Sequence, residues 1–190
     1  MSYYVFDRGD DPGRWIDESP FIKGVKWGVG RKITQALPDP LEFTLKPLDP
    51  ESADHAQHMP SYLSAGMPLF RDDLLDALRS CGVNNLDAYN ASIKDPDNGQ
   101  TYTNYKAINI IGLIAAADMA RSEAVVHPGG PLIDVDFDSL VVDEAKARGP
   151  LMFRLAESTN AILLHEKVRD FLRSKGFQDL AFYEPGEVAL

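Results

Sequence analysis

Cysteine is almost missing from this sequence. Cys81 is the only one in 190 residues, so a disulfide within the chain is excluded. Cys81 ends an apolar helical stripe and reads as a small core residue, not as a nucleophile. Long apolar runs are missing too. The greasiest, Ile110 to Ala117, is broken by Gly112 and falls far short of the roughly 20 residues needed to span a bilayer. The opening Met-Ser-Tyr-Tyr-Val-Phe-Asp-Arg-Gly-Asp has no basic stretch followed by an apolar one, so no secretory leader is expected and the expected compartment is the cytoplasm. Positive charge is scarce: 19 Lys and Arg face 29 Asp and Glu, for a net charge of -10. Such a field repels nucleic acid and anionic membranes and attracts basic partners. It is also an ordinary solubility device.

Recognisable chemistry is sparse as well. His55-Ala-Gln-His58 has metal-like spacing, but no glutamate follows the first histidine and no third ligand is near. Asp134-Val-Asp-Phe-Asp138-Ser139 opens like a calcium loop, yet Ser139 and Ala145 stand where glycine and a bidentate glutamate are required. Gly24-Val-Lys-Trp-Gly28-Val-Gly30-Arg-Lys32 matches neither the P-loop nor the dinucleotide fingerprint, which leaves a phosphate cradle or, more simply, a flexible turn. There is no Gly-x-Ser-x-Gly elbow. The expectation is therefore no catalytic residue, no metal and no cofactor.

What is present is an ordinary globular composition, 44% hydrophobic and 25% charged. The length suits a single domain spanning residues 1–190, with a loop-rich N-terminal layer over 1–67 and a core region over 68–190. Tyr3 to Phe6 reads as a strand. Residues 38–68 hold six of the thirteen prolines, which forbids a long helix or central strand there. That stretch reads as surface loop packed by Trp15, Trp27, Phe43 and Tyr62, with Phe43 to Lys46 an edge strand at most. Pro68 to Cys81 reads as a helix: proline in the first turn, Asp72 and Asp73 near its start, Arg79 near its end, and Leu74, Leu75, Leu78 and Cys81 on one stripe. Strands are expected at Leu86 to Ile93, Tyr105 to Ile111, Ile133 to Phe137, Leu140 to Asp143 and Leu151 to Leu155. Short apolar Ala161 to Leu164 leads into a second helix from His165 to Lys175, and Leu113 to Arg121 reads as a third, short helix. This mixture implies an α+β fold with a mixed, partly antiparallel sheet.

Two features stand out. Leu78-Arg-Ser-Cys-Gly-Val-Asn-Asn-Leu-Asp-Ala-Tyr89 aligns with Leu172-Arg-Ser-Lys-Gly-Phe-Gln-Asp-Leu-Ala-Phe-Tyr183. Each is a helix end, a glycine, a hydrophobic closer and a strand, so Gly82 and Gly176 are expected to stop their helices at positive φ. Either a duplicated helix–strand unit or convergence on common capping chemistry explains the match. The second feature is the alternation of Ile133, Val135 and Phe137 with Asp134, Asp136 and Asp138, which in a strand puts three carboxylates on one face. That face is a solvated surface, a row neutralised by Lys146, Arg148 or Arg154, or a docking surface for a basic partner.

Tyr105-Lys-Ala-Ile-Asn109-Ile-Ile-Gly112, then Asp118 and Ser122, then Val141-Val-Asp143-Glu144-Ala-Lys146, then Leu151-Met-Phe-Arg154-Leu-Ala-Glu157, with the closing helix and Gly176-Phe177, form a pattern. It resembles a bacterial immunity-protein family of polymorphic-toxin systems, immunity family eleven. The resemblance covers about residues 68–184 well and the first 67 loosely. It implies an inhibitor that binds and occludes a cognate protein toxin, with no catalytic residue of its own; the expected lack of a secretory leader fits a toxin that acts in the cytoplasm. It also implies structural roles for Asn109, Gly112, Asp118, Asp143, Arg154 and Glu157. Arg154 and Glu157 are expected in ion pairs, since charges within an apolar strand need partners. The alternative function is an enzyme or small-molecule sensor.

Overall fold

A computed structural model describes residues 2–9, 13–49, 58–127 and 134–190. His55 and Ile133, and most of the His127–Pro131 turn, lie outside the described residues. The first strands are β1 (Tyr3–Arg8), β2 (Ile16–Glu18), β3 (Leu41–Leu45), β4 (Tyr62–Ser64) and β5 (Pro68–Arg71). Helix α1 (Asp72–Ser80) leads to β6 (Leu86–Lys94), β7 (Thr101–Ile110), β8 (Leu113–Ile114), β9 (Glu123–Val126), β10 (Val135–Ser139) and β11 (Met152–Leu155). The chain closes with β12 (Ile162–His165), α2 (Glu166–Ser174), β13 (Leu180–Tyr183) and a 3-10 turn at Pro185–Glu187. The fold is thus sheet-rich α+β, with a six-stranded sheet ordered β2–β3–β6–β7–β5–β4, a five-stranded sheet ordered β13–β1–β12–β11–β8, and a β9–β10 ribbon. Pairing is antiparallel except at β3–β6 and β8–β11.

The aligned sequence segments belong to two matching units. In one, β5 and β6 flank β7 and run antiparallel to it. In the other, β12 and β13 flank β1 in the same way. A hairpin partner extends each, β4 beside β5 and β11 beside β12. The helix ends also match. Gly82 N–H donates to Arg79 O and Val83 N–H to Leu78 O; Gly176 N–H donates to Arg173 O and Phe177 N–H to Leu172 O. Both glycines have positive φ, +103° and +86°, as this closing motif requires. The likeness is thus not confined to the capping residues but includes the order of four strands. The repetition therefore extends to supersecondary structure, with one difference: the middle strand follows its unit as β7 but comes from the N-terminal side as β1.

The two units meet through their helices. Leu74, Leu75, Leu78, Cys81 and Val83 share one core with Val168 and Leu172, and the Cys81 thiol faces the Lys167 carbonyl at 3.9 Å. A second core lies on the other face of the five-stranded sheet, around Tyr3, Val5, Phe137, Phe153 and Leu163. A third fills the outer part of the six-stranded sheet around Trp27, Leu41, Phe43, Leu69 and Tyr105.

Within the first 67 residues, β1 lies inside one sheet and β3 inside the other. Several expectations from sequence are corrected. Leu41 to Leu45 is not an edge strand. Leu41, Phe43 and Leu45 are buried between β2 and β6, and the prolines bracket the strand without entering it. Trp15 is largely exposed, with Arg8 stacked over its ring. Pro68 to Arg71 is strand, paired to β4 and β7, and the helix starts at Asp72. Burial of Leu69 and Phe70 between two neighbouring strands outweighs the helix-start signals. Leu113 to Arg121 is not helical. Leu113 and Ile114 pair with β11, and Ala117 bridges to Val142, so their backbone groups are taken by sheet partners. That bridge is all the pairing found in Leu140 to Asp143.

Candidate binding surface and cleft

In β10, Val135 and Phe137 are buried while Asp134, Asp136 and Asp138 are exposed around them. Asp136, and Asp134 just before the strand, alternate with the buried Val135 and Phe137, while Asp138 is exposed where the pairing with β9 shifts register between Phe137 and Ser139. The β10 edge away from β9 is covered. Val135 N–H donates to Glu157 O, and Phe137 exchanges two backbone hydrogen bonds with Leu190. On the other side β10 pairs with β9. Val125 and Val126 of β9 are 56% and 57% exposed, and within the sheets of the described residues β9 has no second neighbour. The ribbon therefore joins an acidic row, two exposed valines and an open strand edge.

Internal neutralisation of the row is slight. His127 Nε2 lies 2.8 Å from Asp136 Oδ2, and this bond raises the His127 pKa above its ordinary value. Lys146 instead pairs with Asp143 at 3.6 Å and donates to Ala117 O. Arg154 makes no ion pair with the row.

The remaining residues singled out from sequence sit at turns and strand joints. Asn109 is buried and donates Nδ2–H to Arg31 O at 2.8 Å. Gly112 N–H donates to Gly30 O at 2.9 Å, and Gly112 has φ +123°. A Cβ on Gly30 would lie 2.8 Å from the Gly112 carbonyl carbon. Gly30 thus serves close packing against the end of β7, a requirement the glycine spacing alone does not reveal. Asp118 accepts from Ala120 and Arg121 N–H and pairs with Arg121 Nε at 2.6 Å. Hydrogen bonding to Arg121 holds its carboxyl below the usual range. Asp143 accepts from Ala145 and Lys146 N–H and orders the next turn.

Arg154 and Glu157 depart from the expected ion pairs. Both are buried. Arg154 donates Nη1–H to Thr159 O at 2.7 Å. Glu157 Oε1 accepts from Ala117 N–H at 3.2 Å. The other carboxylate oxygen of Glu157, and Arg154 Nε, are enclosed without a partner. Backbone groups, not opposite charges, meet these side chains.

Arg154 lines a cleft of about 650 Å³. One wall is the β4–β5 hairpin, with Tyr62, Ser64 and Gly66. The other is the β11–β12 turn, with Ser158 to Ala161, and Asp7, Asp134 and Asp136 also border it. The cleft thus opens at corresponding ends of the two matching units. Tyr62 packs against Phe6 and Phe70, and burial pushes its phenol pKa far up. Burial likewise lowers the pKa of Arg154. Among the described residues no group of three or more His, Cys, Asp or Glu is placed to hold a metal ion, and no helix is long and apolar enough to cross a membrane. No protein-family model matches the chain, and no curated protein is significantly similar to it.

Proposed function

We propose that the chain is an immunity protein that binds and neutralises a cognate bacterial toxin by covering its working surface. The observation that carries the reading is the exposed row Asp134, Asp136 and Asp138 beside the exposed Val125 and Val126. Carboxylates steer and orient a basic partner, and apolar area excluded from water supplies binding energy. A toxin that acts on nucleic acid in the cytoplasm would present such a basic surface. The open edge of β9 adds backbone groups able to pair with an extended segment. The sequence pattern around Asn109, Asp143 and Arg154 independently favours this family of inhibitors.

The test is co-expression with the C-terminal domain of a candidate secreted toxin, sought among the neighbouring genes. The wild-type chain should restore growth and bind the domain with a salt-sensitive affinity. Asp136→Lys should fold normally, bind more weakly and lose much of the salt sensitivity. Wild-type protein that neither protects nor binds removes the reading; normal affinity of the variant at low salt removes the ribbon as the interface. A second reading, a small-molecule sensor, is favoured by the cleft and the enclosed guanidinium of Arg154.

A further inference from the structure

Arg154 leaves β11 on the face that also carries Met152, toward the core shared by the two helices, while Phe153 and Leu155 fill the opposite core. Only 5% of its surface is exposed. A guanidinium offers five N–H donors and no acceptor. Here a single hydrogen bond, from Nη1 to Thr159 O, anchors it. No carboxylate of the described residues lies within the 4.0 Å of an ion pair, and Nε has no partner. A buried cation in this state is costly unless an anion completes it. Space for one exists, because Arg154 borders the cleft between the two hairpin turns.

The rim of the same cleft has the opposite character. Asp7, Asp134 and Asp136 border it and all three are exposed. His127 meets Asp136, and Asp7 Oδ1 accepts from the Arg8 backbone N–H. A simple anion approaching Arg154 would pass these carboxylates and be repelled. A simple cation would be held at the rim and gain nothing from the guanidinium. A ligand carrying both charges satisfies both ends, and the volume lies within the range of small-molecule sites.

We infer that the cleft binds a small zwitterion of amino-acid or short-peptide type, its carboxylate inward against Arg154 and its cationic group outward among Asp7, Asp134 and Asp136. The fixed Nη1 bond to Thr159 orients the planar guanidinium, and a planar fork suits a carboxylate. This inference does not depend on whether the ribbon meets a toxin.

The full chain is titrated calorimetrically with L-arginine, with L-argininamide, which lacks only the carboxylate charge, and with acetate, which lacks the cation. L-arginine should bind at least about tenfold more tightly than either control, the factor that corresponds to about 1.4 kcal/mol. Arg154→Met should reduce L-arginine to the level of argininamide. Should that variant not fold, the exposed double change Asp134→Asn with Asp136→Asn tests the other end: L-arginine should weaken by about tenfold or more while acetate binding does not fall. Equal binding of L-arginine and argininamide overturns the inference. So does equal binding of L-arginine and acetate, or an unchanged L-arginine affinity in the double variant. Absence of L-arginine binding up to about 10 mM, weaker than any affinity of useful strength, overturns it as well.

Discussion

His127 Nε2 meets Asp136 Oδ2 at 2.8 Å across the β9–β10 ribbon, between the end of one strand and the middle of the other. The hydrogen bond to Asp136 and its charge raise the His127 pKa. The unfolded reference is about 6.5. A raised folded value means the pair's contribution to stability is complete below that reference and is lost as pH rises through the folded pKa. The His127 ring resonances should titrate with a midpoint above about 6.5, and Asp136→Asn should bring it back toward that value. A midpoint unmoved by the substitution would show that the contact does not persist in solution. Protonation of His127 also removes part of the acidic field of the ribbon. Association with a basic partner should therefore slow as pH falls through the same midpoint.

Gly82 and Gly176 occupy equivalent helix ends and should respond alike to alanine. A Cβ on Gly82 would meet Leu151 Cδ1 at an ordinary 3.4 Å, and one on Gly176 would meet nothing within 4 Å. The penalty is then conformational, about 1 kcal/mol at each site, readable from urea denaturation midpoints. Gly30→Ala should cost more than either. Its φ is +65° and its Cβ would fall 2.8–2.9 Å from Gly112 and Leu113 atoms, so strain and collision add. A Gly30→Ala penalty no larger than that of Gly176→Ala would refute the close-packing account of Gly30.

Arg14 and Asp95 form a buried pair at 3.0 Å, each with 4% of its side chain exposed, and Asp97 adds a second carboxylate at 2.7 Å from the same Arg14 nitrogen. Removing one member of a buried pair leaves the other charge stranded. Asp95→Ala should destabilise by about 3 kcal/mol, the low end of the usual range because Asp97 remains. Asp97→Ala, at a partly exposed position, should cost clearly less, since solvent screens that pair. Both are measured by denaturant unfolding, and similar losses for the two would contradict this ranking.

What could be read from the sequence divides along physical lines. The closing motifs at Gly82 and Gly176 were legible because a helix end, a positive φ and a hydrophobic closer are local requirements. The alternation in β10 was legible because period two is local as well. The Arg14–Asp95 pair joins residues 81 positions apart, and no spacing rule marks it. Insertion of β1 between β12 and β13, and the parallel pairing of Leu113 and Ile114 with β11, are long-range choices that override the local preference of Leu113 to Arg121. Arg154 and Glu157 were recognisable as charges in an apolar strand. Their actual partners, Thr159 O and Ala117 N–H, are backbone groups that every residue carries and so leave no signature. The cleft was not legible, since its walls come from two hairpins that only the repeated architecture aligns.

The acidic row itself yields the most discriminating substitution. Asp134, Asp136 and Asp138 are exposed just before and along β10, and alternate residues lie about 6.8 Å apart along a regular strand. At that spacing each adjacent repulsion is ~0.6 kcal/mol in water before salt screening. Changing all three to asparagine removes three of the 29 acidic side chains and breaks the charge on the His127 contact. The first change relieves repulsion and the second forfeits an exposed pair, so the two nearly cancel. The triple variant should melt within a few degrees of wild type at low salt, with a smaller difference at high salt. If the row is only a solvated face, protection against the toxin should also stay unchanged. If it is the docking surface, protection should fall while the melting temperature holds. Loss of both together would mean instead that the carboxylates support the ribbon's own fold, and the interface would then have to be sought elsewhere.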